Sequence, residues 1–354
     1  MPACPATNMM NLSFLHTREG LAEALRCQDP DFNRALLDEA YRVKCETVGP
    51  EVYLRGLIEI SNRCVKNCLY CGIRRDVRCE RYELSEDEVL AAAREAARQR
   101  FGSVVIQGGE RTDRAFIGKI TRLIRSIKAL PTAAGDPPLG ITLSLGEQPR
   151  EVYQEWFEAG AHRYLLRIES SNPGLYARIH PADHSFDRRL RALQDLKETG
   201  WQAGTGAMIG LPYQTAEDLA GDLLFYKEFN APMVGMGPYN PHPDTPLTRC
   251  GAPYPSNPER FLLGLKMIAL LRLLMPDINI AAATALEVLD PRGREKGLLA
   301  GANVFMPNLT PSEQRQQYNL YKGKPTGGQW AVSDKHIVIG YGRWGDSLRF
   351  RKEQ

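Results

Sequence analysis

No apolar run in this 354-residue sequence reaches the roughly 20 residues that a membrane-crossing helix needs. The nearest candidate, residues 262–275, is broken by Gly264, Lys266 and Arg272. No block of like charge is long enough to act as a nucleic-acid tail, and the formal net charge is only +3. Met9, Met10, Leu12, Phe14 and Leu15 cluster near the start, but without the basic flank and long apolar core of a secretory leader. Eight cysteines in a chain this long are too sparse for a disulfide scaffold, and none follows Cys250. These absences predict a cytoplasmic, reducing setting with no nucleic-acid partner and no membrane. The hydrophobic share of 43% and charged share of 25% are those of an ordinary globular protein.

The cysteines that are present are unevenly spread. Cys64, Cys68 and Cys71 fall within eight residues, as Cys64-Val-Lys-Asn-Cys68-Leu-Tyr-Cys71. Thiolates this close suit iron–sulfur or zinc chemistry. Four protein ligands would complete a structural zinc site or a cluster, yet only Cys79 lies near as a fourth. Three ligands leave one metal corner open for a small molecule. A zinc knuckle is the alternative. Arg74, Arg75, Arg78 and Arg81 follow the cysteines and read either as a solvated loop or as a group facing an anion.

Along the chain, Thr17 can cap a first helix, and a second apolar pattern runs from Phe32 to Val43. Residues 52–60 then begin a strand–helix alternation. Ser85-Glu-Asp-Glu88 reads as a capping box opening a helix. Further strands are expected over 103–106, 141–145, 163–168, 202–209, 233–236, 279–284 and 302–306, separated by helical stretches. Eight such units predict an α/β fold, a (β/α)8 TIM-type barrel over residues 51–309. Its N-terminal helical segment would be residues 1–50, and residues 310–354 a C-terminal extension covering one end or packed outside. Polar and glycine residues at the strand ends mark the side where such barrels assemble active sites. Gly340-Tyr-Gly-Arg-Trp-Gly345 is turn-rich and not a dinucleotide fingerprint, since no βαβ unit surrounds it.

The cysteine spacing resembles that of the radical S-adenosylmethionine (SAM) enzymes. Within that superfamily the chain resembles the HydE maturases of [FeFe] hydrogenase, in a group with biotin synthase and methylornithine synthase. The resemblance runs from about residue 15 to residue 325. It is carried by residues 59–62 with the cysteines and Gly72, by Ser144-Leu-Gly-Glu147, Tyr164-Leu-Leu-Arg167, Met306-Pro-Asn308 and residues 235–246, and above all by the run 237–246. It implies one [4Fe-4S] cluster on Cys64, Cys68 and Cys71, with SAM on the open iron. Tyr70, Gly108, Gly109, Glu169, Arg189 and Gly210 would then contact SAM. A structural Glu169–Arg189 ion pair is the alternative for those two. Arg167, Thr284, Met306 and Tyr318 would line the substrate side. The resemblance further implies a small organometallic substrate, an electron donor such as ferredoxin or flavodoxin, and other hydrogenase maturases as partners.

The chain also departs from the pattern. Some HydE proteins have C-terminal cysteines for a second cluster, where this chain has none and Thr326 stands near the first position. Ile168 occupies the place of a histidine found in some relatives, and residues 131–138 and Ala182 look like local insertions. Two other functions stay open: a methylornithine synthase-like mutase, and a non-enzymatic iron–sulfur scaffold or carrier.

Overall fold

The computed structural model describes residues 15–326 and 332–346. The stretch 9–14 and the tail beyond 346 lie outside them. The strands are β1 (Glu51–Ser61), β2 (Ser103–Gly108), β3 (Gly140–Ser144), β4 (Arg163–Leu165), β5 (Gln202–Gly204), β6 (Met208–Ile209), β7 (Met233–Val234), β8 (Gly237–Pro238), β9 (Asn279–Ile280), β10 (Val304–Phe305) and β11 (Val338–Gly340).

The regular sheet is parallel in the order β10-β1-β2-β3-β4-β5, with β11 added beside the start of β1. Its middle strands are buried almost throughout, because helices cover them outside and side chains fill them inside. Ser85 caps the helix Glu86–Arg98 and Glu88 closes the predicted box. Thr17 caps the helix Arg18–Arg26 through the Gly20 N–H.

The expected closed (β/α)8 barrel needs correcting. The continuous sheet is an open, curled arc. Beyond β5 the ladder shrinks to two-residue pairs, β6 with β8 and β7 with β9. Single bridges, Thr205–Val234 and Ala281–Val304, link β7 and β9 toward the arc's two ends. Pro232 precedes β7 and Pro238 lies in β8, and proline has no N–H to give a ladder. The strand expected over 202–209 is split in two, and that over 279–284 stops at Ile280. Helices not foreseen in the sequence follow β4 and β9, at Pro173–Ile179 and Ala285–Leu289. Asn172 caps the former, with proline in its first turn.

The two ends of the strands differ. At their N-terminal end, the residues after β11 turn across the opening. The Gly345 carbonyl accepts from Arg55 at 3.3 Å and from Asn279 at 2.7 Å. Arg163 donates to the Trp344 carbonyl at 2.8 Å and to Asp346 at 3.0 Å, and Trp344 stacks on His162. The C-terminal end holds a large cavity. No helix among the described residues is long and apolar enough to cross a membrane.

Candidate active site

The cysteine loop leaves β1 at Ser61 and returns to the sheet at Glu83. Its shape is fixed by Arg81, whose guanidinium donates to the carbonyls of Asn62, Ile73, Arg74, Arg75 and Val77 at 2.5–3.2 Å. Arg81 therefore faces into the loop, with its guanidinium taken up by the loop's own carbonyls. Gly109 sets how closely the loop approaches β2. A Cβ there would lie 2.3 Å from the Arg63 carbonyl oxygen and 2.8 Å from the Cys64 Cβ.

Cys64, Cys68 and Cys71 line a cavity of about 350 Å³ at the C-terminal ends of the strands. Burial pushes all three thiols up, Cys68 to about 12. Such thiols stay protonated at neutral pH unless a cation draws off the proton, as a metal does. The Lys66 backbone N–H donates to the Cys64 sulfur at 3.4 Å.

Charged groups of both signs surround the thiols. Lys66, inside the cysteine motif, lies 2.9 Å from Glu147 and 3.4 Å from Glu110. Glu110 also accepts from the Glu147 backbone N–H at 2.8 Å. The buried Arg189 donates from Nε to Glu147 at 2.7 Å and from a terminal nitrogen to the Arg167 carbonyl. Burial works against the Glu147 charge, but Arg189 and Lys66 outweigh it and hold its carboxyl down at about 2. Burial pushes Glu110 up, against the pull of Lys66. Glu169 pairs instead with Arg167 at 3.0 Å, and its backbone has φ +65°, in the left-handed region. Such strain in a non-glycine residue is held by its surroundings, here by hydrogen bonds with Gly206 and Met208. The Glu169–Arg189 pair weighed as an alternative does not form.

Cys64, Cys68, Cys71, Tyr70, Gly108, Gly109, Glu169, Arg189, Arg167, Thr284, Met306 and Tyr318 all line the one cavity. Gly210 does not. Its N–H is taken by Gln214 at 2.6 Å, and it borders a separate surface hollow with Gln214 and Glu259. At the cavity's far end, Glu59 lies 2.6 Å from Lys324 and accepts from Asn308 at 3.0 Å. Tyr318 is buried there, its hydroxyl 3.3 Å from the Gln107 amide nitrogen.

Several residues in or beside the site were not singled out in the sequence. Lys66 stands within the motif itself, and Glu110 and Glu147 close strand ends, so their positions carried a signal. His180 and His184 carried none. They flank a turn between two helices, far along the chain from the cysteines, yet the Cys68 sulfur and a nitrogen of each lie within 4.8 Å of one another. His180 is already engaged: its Nδ1 lies 2.9 Å from the Tyr176 carbonyl and its Nε2 3.4 Å from the Tyr70 hydroxyl. Burial pushes His180 down to about 3 and His184 to about 4, so both rings are neutral at pH 7.

A family model for the Radical SAM superfamily matches residues 58–225. Over 310 residues the chain is 48% identical to the [FeFe] hydrogenase maturase subunit HydE of Thermotoga maritima, covering 87% of this chain and 84% of that protein. It is 26% identical to the 3-methylornithine synthase of Methanosarcina acetivorans, over 84% of this chain and 83% of that one. Among solved structures, a methylornithine synthase superposes with a TM-score of 0.71 at 24% identity, covering 82% of each chain. The maturase HydG of Carboxydothermus hydrogenoformans superposes with a TM-score of 0.70 at 19% identity, covering 91% of this chain and 72% of that one. Both superpositions show the shared fold. With its thiol-lined cavity at the strand ends, this chain is a radical SAM enzyme and belongs to the HydE family of [FeFe]-hydrogenase maturases.

Proposed function

We propose that Cys64, Cys68 and Cys71 hold one [4Fe-4S] cluster, that SAM binds beside it, and that the chain serves [FeFe]-hydrogenase assembly. The observation carrying this reading is the convergence of three half-buried thiols on a single cavity already lined by charges of both signs. When bound, the cluster and SAM supply one-electron cleavage of a sulfonium C–S bond to methionine and a 5′-deoxyadenosyl radical. The residues of the chain supply position and dryness. Arg189, held by Glu147, and Glu169, held by Arg167, offer opposite charges to a zwitterionic ligand. Tyr70, Gly108 and Gly109 border the same space, while Gly210 borders a separate hollow.

The substrate in this reading is small and organometallic: a cysteine-bound iron carbonyl–cyanide unit supplied by another hydrogenase maturase. Arg167, Thr284, Met306 and Tyr318 line its side of the cavity, with the Glu59–Lys324 pair beyond. Ferredoxin or flavodoxin would supply the electron in a cytoplasmic setting. The likeness to the [FeFe] hydrogenase maturase subunit HydE of Thermotoga maritima supports placing the chain in hydrogenase maturation.

The test is anaerobic reconstitution, then reductant and SAM, with 5′-deoxyadenosine as the readout. The parent chain is expected to form it, and Cys71→Ala to form none. No product from the iron-loaded parent would leave only a scaffold or carrier. A synthetic iron–cysteine carbonyl–cyanide complex is expected to be altered while lysine is not. Rearrangement of lysine would mean a methylornithine synthase-like mutase instead.

A further inference from the structure

We propose that His184 donates a hydrogen bond to the Cys68 sulfur and thereby raises the reduction potential of the cluster bound there. The inference rests on the cluster assignment above and gives a role to a residue outside the cysteine motif.

His184 lies in the turn just ahead of the helix Phe186–Glu198, where its backbone N–H donates to the Pro181 carbonyl at 2.9 Å and Ser185 caps the helix. The turn fixes the ring, whose side chain is only 3% exposed. Its Nδ1 is 3.8 Å from the Cys68 sulfur, and its Nε2 is 3.5 Å from the backbone nitrogen of Asn67. A backbone N–H can only donate, so Nε2 accepts. The neutral ring then carries its proton on Nδ1, facing the sulfur. The Asp183 carboxylate is the competing partner for Nε2, but it lies 3.8 Å away on a side chain 66% exposed. His180 is engaged by Tyr176 and Tyr70 and does not compete for the sulfur.

The three thiols differ in what approaches them. Cys64 takes the backbone N–H of Lys66, and Cys71 that of Ile73. Side-chain exchanges other than proline leave those donors in place. Cys68 is met by side chains: His184, and the Tyr70 hydroxyl, which also has His180 Nε2 as an acceptor. Reduction adds negative charge to a cluster and its thiolates. A donor aimed at a thiolate therefore bonds more strongly in the reduced state and raises the potential. His184 is a tuning residue in this sense and touches no reacting atom.

The test is an EPR-monitored redox titration of the reconstituted protein, with iron content measured on the same samples. His184→Phe keeps a flat ring without the donor, and His184→Gln keeps an N–H. The Phe variant is expected to shift the redox equilibrium about tenfold toward the oxidised cluster, about 59 mV lower for one electron. The Gln variant is expected to recover part of that shift at parental iron content. A Phe variant with the parent's midpoint overturns the proposal. So does loss of the cluster from both variants, because one hydrogen bond is not required for a cluster to form. A Cys64→Ala/Cys71→Ala chain that binds one zinc, and loses it on His184→Phe, also overturns it: His184 would then offer Cys68's metal a lone pair. A parent that loads no cluster sinks the cluster assignment itself, whereas a normally loaded parent with an unmoved Phe variant sinks only the hydrogen bond.

Discussion

Arg189 and Arg163 are both buried arginines bonded to a carboxylate, yet they stand at opposite ends of the strands. Arg189 is bonded to Glu147 and still lines the cavity. Arg163 is closed in by Thr142, the Trp344 carbonyl and Asp346, all from the protein. Burial opposes both charges. At Arg163 burial prevails and pushes it down to about 10. At Arg189 the neighbouring Tyr176 and Glu147 prevail and its pKa is raised. The same residue type thus seals one end and, at the other, stands beside a cavity open to a ligand. What separates them is whether the surrounding elements cover the guanidinium or leave it beside a cavity.

Breaking each pair in turn tests the contrast. Arg189→Met should weaken SAM binding to the cluster-loaded protein by about a hundredfold, the loss expected when one member of a buried charged pair is removed. Calorimetric titration with SAM reads this, and unchanged affinity would place Arg189 on the structural side with Arg163. Arg163→Met should lower unfolding free energy by about 2 kcal/mol, somewhat below the usual loss for a buried pair because Asp346 is partly exposed. Urea unfolding measures it, and SAM affinity should stay at the parent value.

Gly345→Ala bears on the same end. Gly345 has φ +60°, and a Cβ there would lie 2.3 Å from the Tyr53 Cγ. A loss of about 1–2 kcal/mol is expected. A thermal midpoint equal to the parent's would mean that the segment does not seal the end.

The smallest effect concerns acid. Burial, with help from Arg163, pushes His162 down to about 4 in the folded state, against roughly 6.5 unfolded. Between those values the unfolded chain binds a proton that the folded chain refuses. Stability should therefore fall as pH drops from about 6.5 to about 4. His162→Phe can keep the stack on Trp344 and should remove about 1 kcal/mol of that loss at pH 6. Parallel stability–pH curves for parent and variant would contradict this.

The legible features were those written in short stretches. Ser85 and Glu88 make a capping box across one turn, and thiolate spacing is a local property of Cys64, Cys68 and Cys71. Glycine and carboxylate residues at strand ends gave the direction of the site. The hidden features join residues far apart. Nothing near His184 points to Cys68, and Glu59 meets Lys324 only because the chain after β10 folds back over the cavity. Barrel closure was overread for a related reason. The apolar stretches over 202–209 and 279–284 look like full strands, but whether they ladder depends on partners that pair over only two residues or a single bridge.

Arg81 has a consequence in terms of entropy. A loop that takes its shape only from a metal must lose its chain freedom at the moment of binding, which weakens the observed affinity. Five carbonyls gathered on one guanidinium restrict the cysteine loop beforehand. The ordering cost then falls on folding of the whole chain, and in the proposed cluster assignment the thiols would meet incoming iron as a formed claw instead of a flexible strand.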